Sequence, residues 1–186
     1  MFPFTPSLFA WLQPIGKKLP CILIAALLLA QSGLAACPSW PTEIRFSLNG
    51  AEATDLRTGL VWKRCTEGQT WNGNTCVGSA LEMKHETTLQ RAQTANPQGA
   101  ATGWRLPNIN ELFSLADKGC ENPAIDSKAF PDNPMHIYWS STPYAAYPAN
   151  VWIVAFDGGL IGPDFGFYDL RPSEDGFAAR LVRSAQ

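Results

Sequence analysis

The 186-residue sequence is short of the groups that carry most enzyme chemistry. It has only two histidines, His85 and His136, far apart and without ligand-type neighbours at metal spacing. No CxxC pair occurs, which excludes a zinc site of the finger or ribbon kind. The nucleophile-elbow pattern GxSxG and a Gly-rich phosphate loop are both absent. Long apolar runs are missing too. The longest, LPCILIAALLLA at 19–30, falls short of the ~20 residues that a membrane-spanning helix needs. There is no basic run, and the formal net charge is −2, so nothing steers the surface toward nucleic acid.

What is present begins with an address. Lys17 and Lys18 precede the apolar run, Gln31, Ser32 and Gly33 break it, and small residues follow at Ala35 and Ala36. That order predicts a cleaved secretory signal over residues 1–36, leaving 37–186 as one domain. Loss of Lys17 and Lys18 leaves 12 Lys and Arg against 16 Asp and Glu, a net charge of −4. Six of the seven tryptophans stay in the mature part, as expected of a loop-rich domain with aromatic packing.

Four cysteines remain after cleavage: Cys37, Cys65, Cys76 and Cys120. An even number in an exported chain predicts two disulfides. Cys65 and Cys76 flank TEGQTWNGNT, a loop whose length and composition favour closure. Cys37 is then left to pair with Cys120. The stretch Leu34-Ala35-Ala36-Cys37 also fits lipoprotein cleavage, in which the Cys37 sulfur carries lipid instead. Cysteine parity favours the disulfide, and so do Pro38 and Pro41, where a flexible Ser/Gly tether is the usual arrangement.

Turn signals divide the rest. Residues 43–48 and 53–55 read as strands about the Asn49-Gly50 turn, and 60–64 as a third strand. Ser79 and Glu82 form a capping-box pattern that predicts a helix over 79–95, with Leu81, Leu89, Ala92 and Ala95 on its apolar face. A second helix is expected after Pro107, capped by Asn108 with Glu111 returning to the cap, and with Ile109, Leu112, Phe113 and Ala116 on one stripe. Strands follow at 138–142, 151–156, 165–168 and 177–183. In VWIVAF both alternate faces are apolar, which predicts a central strand buried on both sides. The expected class is α+β.

At this point the chain resembles a known family. TDLRTGLVWKRCTEGQTWNGNTC, GWRLPNINELFSL, NPAID, FPDNP, YWSSTPY and RLVR occur in that order across nearly the whole mature part. Together they are similar to the Lcl C-terminal domain family, named after a Legionella collagen-like adhesin. GWRLPNINEL is also similar to a segment of formylglycine-generating and related sulfatase-modifying proteins. The resemblance implies a C-type-lectin-like fold, two helices packed on irregular antiparallel sheets. It implies an architectural role for Trp104, Arg105, Leu106, Pro107 and Glu111, with Trp104 and Leu106 filling core and Arg105 meeting a carboxylate or carbonyls. In the adhesin the domain is associated with glycosaminoglycan binding and trimerisation beside a collagen-like stalk. This chain has no Gly-X-Y repeat and is acidic, so neither property carries over on its residues.

The chemistry of those families does not carry over either. The reactive cysteine pair of the formylglycine-generating enzymes has no counterpart, since no cysteine follows Cys120. The calcium-dependent sugar motifs of C-type lectins are missing. Asp157, Asp164, Asp169 and Asp175 fit no compact calcium loop and read as turn residues. His85, in KHETT, is expected to face solvent. The residues placed for ligand binding are Tyr144 and Tyr147, in the loop between two strands, with Trp71 in the small disulfide loop and His136 beside two aromatics. The expected function is an exported, non-catalytic binding module for a surface glycan or protein, with no cofactor and no transmembrane segment. The competing readings are an enzyme of unrecognised type on the same scaffold and a structural subunit of an envelope assembly.

Overall fold

The computed structural model describes residues 37–96, 103–117, 119–146, 149–156, 171–172 and 176–185. The expected signal at 1–36, the strand at 165–168, Tyr147 and the four aspartates from 157 to 175 lie outside the described residues. Ala35–Gln186 forms one compact unit. It is α+β, with short helices set on antiparallel sheets.

The first sheet is laid down locally and closed by the chain's end. After the one-turn helix α1 (Thr42–Arg45), β1 (Phe46–Asn49) and β2 (Glu52–Asp55) form a hairpin about Gly50, whose φ of +53° is the left-handed conformation a tight turn needs. β3 (Leu60–Lys63) pairs with β2, and β9 (Val182–Ser184) joins its far side, giving the order β1-β2-β3-β9. Arg45 is buried beneath the hairpin, where its Nη2 donates to Asp55 at 3.1 Å and to the Ser114 carbonyl at 2.5 Å. Residues 43–45, expected as strand, belong to α1 because the Ile44 and Arg45 N–H groups turn back to the Pro41 carbonyl.

β4 (Thr70–Trp71) and β5 (Cys76–Val77) make a two-stranded ribbon. The expected helix start at Ser79 is corrected: α2 spans His85–Thr94, and the residues before it are non-helical, with a single β-bridge from Met83 to Phe177. The reason is non-local. Leu81 N–H donates to the Glu67 carbonyl at 2.9 Å, and Met83 exchanges backbone hydrogen bonds with Phe177 at 2.9 and 3.1 Å. Those bonds use the N–H groups a helix from Ser79 would need. α2 consequently buries Thr88 and Ala92, while Leu89 is exposed.

α3 (Ile109–Phe113) begins where expected but ends before Ala116, which bridges to Ile125 instead. Asn108 Oδ1 accepts from Glu111 N–H at 2.9 Å, and Glu111 Oε2 accepts from Asn108 N–H at 2.8 Å, completing the capping box. β6 (Ile137–Pro143) and β7 (Asn150–Ala155) then pair, with β8 (Arg171–Pro172) on the other side of β7. β7 is therefore central, and its residues alternate between two cores. Val154, and Phe156 just beyond, pack with Trp62, Leu112, Ile125 and Phe130, whereas Val151 and Ile153 pack with Met83, Leu106, Trp139 and Leu181. A strand buried on both faces needs apolar residues at every position, which is why VWIVAF does not alternate in polarity.

Both disulfides form as expected. Cys37 bonds to Cys120 and Cys65 to Cys76, with Cα separations of 4.7 and 5.4 Å. The first pair is reinforced by Asp117, whose carboxylate accepts from Ser39 N–H and hydroxyl and from Gly119 N–H. Among the described residues no helix is long and apolar enough to cross a membrane.

Candidate functional site

A cavity of about 480 Å³ opens between the Cys65–Cys76 loop, the β1–β2 turn, α2 and the segment before α3. Its wall carries two indoles, Trp71 and Trp104, together with Glu52, Lys63, Glu67 and Arg91. The loop is held open by backbone geometry. Gly68 has φ +99°, and a Cβ there would meet Leu81 and the Ser79 carbonyl at 2.7 Å, so only glycine lets the two segments approach. Asn72 Oδ1 accepts from the Asn74 and Thr75 N–H groups, tightening the loop tip. Gln69 donates to the Asp132 carbonyl at 3.1 Å, and the Thr75 hydroxyl bonds the Asp132 carboxylate. The FPDNP segment thus braces the loop from outside.

The polar groups in the wall are committed and fixed. Glu67 is buried, and its two carboxylate oxygens accept from Lys63 Nζ at 2.8 Å and Arg91 Nε at 2.7 Å. Glu52 is bound by Arg183 at 2.8 Å. Cations also lie against the indole rings. The Arg64 guanidinium lies 4.1 Å from the Trp71 ring, while Lys63 and Arg183 lie 5.6 and 5.2 Å from Trp104. Each contact removes a rotamer choice from a long side chain, so the cavity presents rigid aromatic surface bordered by oriented charges.

Behind the loop stands Arg180, fully buried. Its Nη1 donates to the carbonyls of Lys63 (2.8 Å) and Arg64, and its Nη2 donates to Asn133 Oδ1 at 2.6 Å and Thr66 Oγ1 at 3.2 Å. The guanidinium lies 4.8 Å from the Phe130 ring. Burial pulls the Arg180 pKa down, opposed by Tyr138 and Glu67. Burial likewise pushes the Tyr138 phenol up, opposed by Arg180 and the hydrogen bond to Thr66. Arg180 thereby holds the strand end and the start of the disulfide loop in one place.

Of the described residues expected to bind ligand, Trp71 alone lines this cavity. Tyr144 lies edge-on to Trp152 with ring centroids 5.7 Å apart, and its backbone N–H donates to Asn150. His136 Nδ1 sits 3.2 Å from Glu82 Oε1, away from the cavity wall. His85 is corrected: it is not solvent-facing but half-buried, with Nε2 3.0 Å from the Ser140 carbonyl and its ring edge-on to Trp139. Burial lowers its pKa, against the Ser140 hydrogen bond.

The RLPN segment divides between scaffold and site. Leu106 is core, and Arg105 grips Glu111 with two hydrogen bonds of 2.7 Å. Burial alone would raise Glu111, but the bonds from Arg105 and the Asn108 N–H outweigh it and hold the carboxyl below its ordinary range. Trp104, expected in the core, is only half-buried, because its ring spans the second core and the cavity wall. Sequence reasoning missed Glu52, Lys63, Glu67 and Arg91 as site residues. Lys63 and Glu67 lie only four residues apart, but Glu52 and Arg91 come from distant segments that no local spacing joins to them.

A family model described as the Lcl C-terminal domain matches residues 51–183, and the chain belongs to that family. No curated protein and no solved structure matches it.

Proposed function

We propose that this member of the Lcl C-terminal domain family is an exported, non-catalytic binding module that takes a saccharide ring into the Trp71–Trp104 cavity, on a C-type-lectin-like scaffold. The observation that carries the reading is the pairing of two indoles with fixed hydrogen-bonding groups in one cavity. Apolar C–H faces of sugars stack on aromatic rings, and oriented polar groups at the rim meet the hydroxyls. Glu52 and Glu67 are each committed to cations, an arrangement that suits orientation of a ligand better than a free acid and base.

Export is supported by the leader pattern and by two disulfides, which persist in oxidising compartments. The Cys37 sulfur is bonded to Cys120, and a lipid on the same atom is incompatible with that bond. Cleavage by the ordinary signal peptidase therefore fits better than lipoprotein processing. The scaffold reading is supported by short helices on irregular antiparallel sheets.

The test is a glycan array probed with the chain from Cys37 onward. Retention of one saccharide class, with quenching or enhancement of tryptophan emission on titration, is the expected result. No retention on neutral or acidic glycans would sink the proposal.

A further inference from the structure

α2 and the segment before α3 both line the cavity, through Arg91 and Trp104, and one side chain outside the wall joins them. Asn96 stands just past the end of α2 at Thr94 and is half-buried. Its Nδ2 donates to the Trp104 carbonyl at 2.7 Å and to the Ala92 carbonyl at 3.0 Å, and its Oδ1 accepts from the Trp104 N–H at 2.8 Å. Both amide hydrogens and the amide oxygen are therefore engaged. An amide that meets the N–H and the C=O of one residue imitates a neighbouring strand. The next residue completes the pattern on the opposite side, where Arg105 exchanges backbone hydrogen bonds of 2.9 Å with Val182 on β9. Trp104 and Arg105 thus lie between the β9 edge of the first sheet and the end of α2.

We propose that Asn96 is a positioning residue, whose amide clasps the Trp104 backbone, sets the Trp104 indole in the cavity wall and thereby sets the affinity for ligand. The ligand part rests on the saccharide reading, while the clasp itself stands on the geometry. Capping α2 accounts for the bond to the Ala92 carbonyl, but it does not account for two bonds to Trp104. The residues between the two, PQGAATG at 97–103, include no large apolar side chain to anchor Trp104 from its own segment. An indole has only two side-chain torsions, so its place follows that of its backbone. The ring's cation contacts, Lys63 on β3 and Arg183 on β9, depend on how far that backbone stands from the sheet. α2 thereby fixes two wall residues at once, Arg91 through Glu67 and Trp104 through Asn96. A supporting side chain of this kind determines whether a site is held in its productive geometry or left loose.

The test compares the chain from Cys37 onward with two variants. Asn96→Ala removes the clasp. Asn96→Asp keeps its shape and the acceptor for the Trp104 N–H, but sets a carboxylate against the carbonyls of Ala92 and Trp104. Two readouts are taken well below each melting temperature. One is the indole N–H resonances of isotope-labelled protein, assigned with Trp71→Phe and Trp104→Phe, and the other is affinity for the saccharide retained on the array. In both variants the Trp104 resonance is expected to shift or broaden while the Trp71 resonance stays. Saccharide affinity is expected to fall about tenfold, the cost of ordering one released side chain on binding. A Trp104 resonance at its wild-type position in either variant overturns the proposal, and so does wild-type affinity despite a moved resonance. A lower melting temperature with neither change makes Asn96 a helix cap alone and also overturns it. If the wild-type chain retains no saccharide, the saccharide reading fails, and the indole resonances still decide whether Asn96 sets Trp104.

Discussion

The chain has two aromatic-bearing loops that look alike in sequence and behave differently in the fold. The Cys65–Cys76 loop carries Trp71, and the loop joining β6 to β7 carries Tyr144. Both are rich in small and polar residues, and both place an aromatic ring where core packing is not required. Trp71 stands in a cavity wall, stacked with Arg64 and close to Glu67 and Arg91. Tyr144 instead lies on Trp152, a neighbour from the strand that its own loop leads into. The difference lies in what closes each loop. A disulfide, an Asx turn and Asp132 hold the first away from the sheet, so its ring faces other elements across a space. The β6–β7 pairing holds the second against its own sheet, so its ring has a partner already.

The largest effect comes from removing what supports the first loop from behind. Arg180→Met should lower unfolding stability by about 3 kcal/mol or more, read by urea denaturation, because four oxygen acceptors lose a buried donor. A loss under about 1 kcal/mol would mean that Arg180 does not organise the loop. Next in size is the double change Cys65→Ser, Cys76→Ser, expected to cost about 3 kcal/mol through loop-closure entropy. Saccharide binding should disappear with it even at temperatures where the rest of the domain is folded.

The two aromatics themselves separate binding from stability. Trp71→Ala should leave the melting temperature nearly unchanged and weaken saccharide affinity by about 2 kcal/mol, close to thirtyfold. Tyr144→Ala should do the reverse, losing roughly 1 kcal/mol of stability with its edge-on contact and leaving affinity intact. The smallest effect lies on α2, which supplies Arg91 to the cavity. His85 has its pKa lowered by burial, so the unfolded chain takes up its proton first as pH falls through the ordinary value of 6.5. The stability tied to neutral His85 is therefore present above pH 6.5 and declines below it. A His85→Phe variant should show a shallower fall in melting temperature between pH 7.5 and 5.5 than the wild type.

The contrast also shows what sequence can and cannot say. The Asn108–Glu111 capping box was legible because donor and acceptor lie three residues apart, and nothing distant competes for those N–H groups. The Ser79–Glu82 pattern is the same kind of signal, yet the chain there is not helical. Met83 is claimed by Phe177, 94 positions away, and no local pattern reveals that bond. β7 was legible because burial on both faces writes itself into composition, VWIVAF having no polar position. The cavity was half legible. Trp71 and Glu67 share the small disulfide loop, but Glu52, Arg91 and Trp104 reach it only through the pairing of β2 with β3, the docking of α2 and the Arg105–Val182 bridge. Arg180 opens the closing RLVR motif, and its burial is satisfied by the oxygens around it rather than signalled by any charge pattern along the chain.

The most direct test of the binding account is calorimetric titration of the saccharide retained on the array into wild type, Trp71→Ala and Tyr144→Ala. Affinity reduced about thirtyfold by the first substitution and unchanged by the second is the predicted result. Equal affinity in wild type and Trp71→Ala, or a loss confined to Tyr144→Ala, would contradict it.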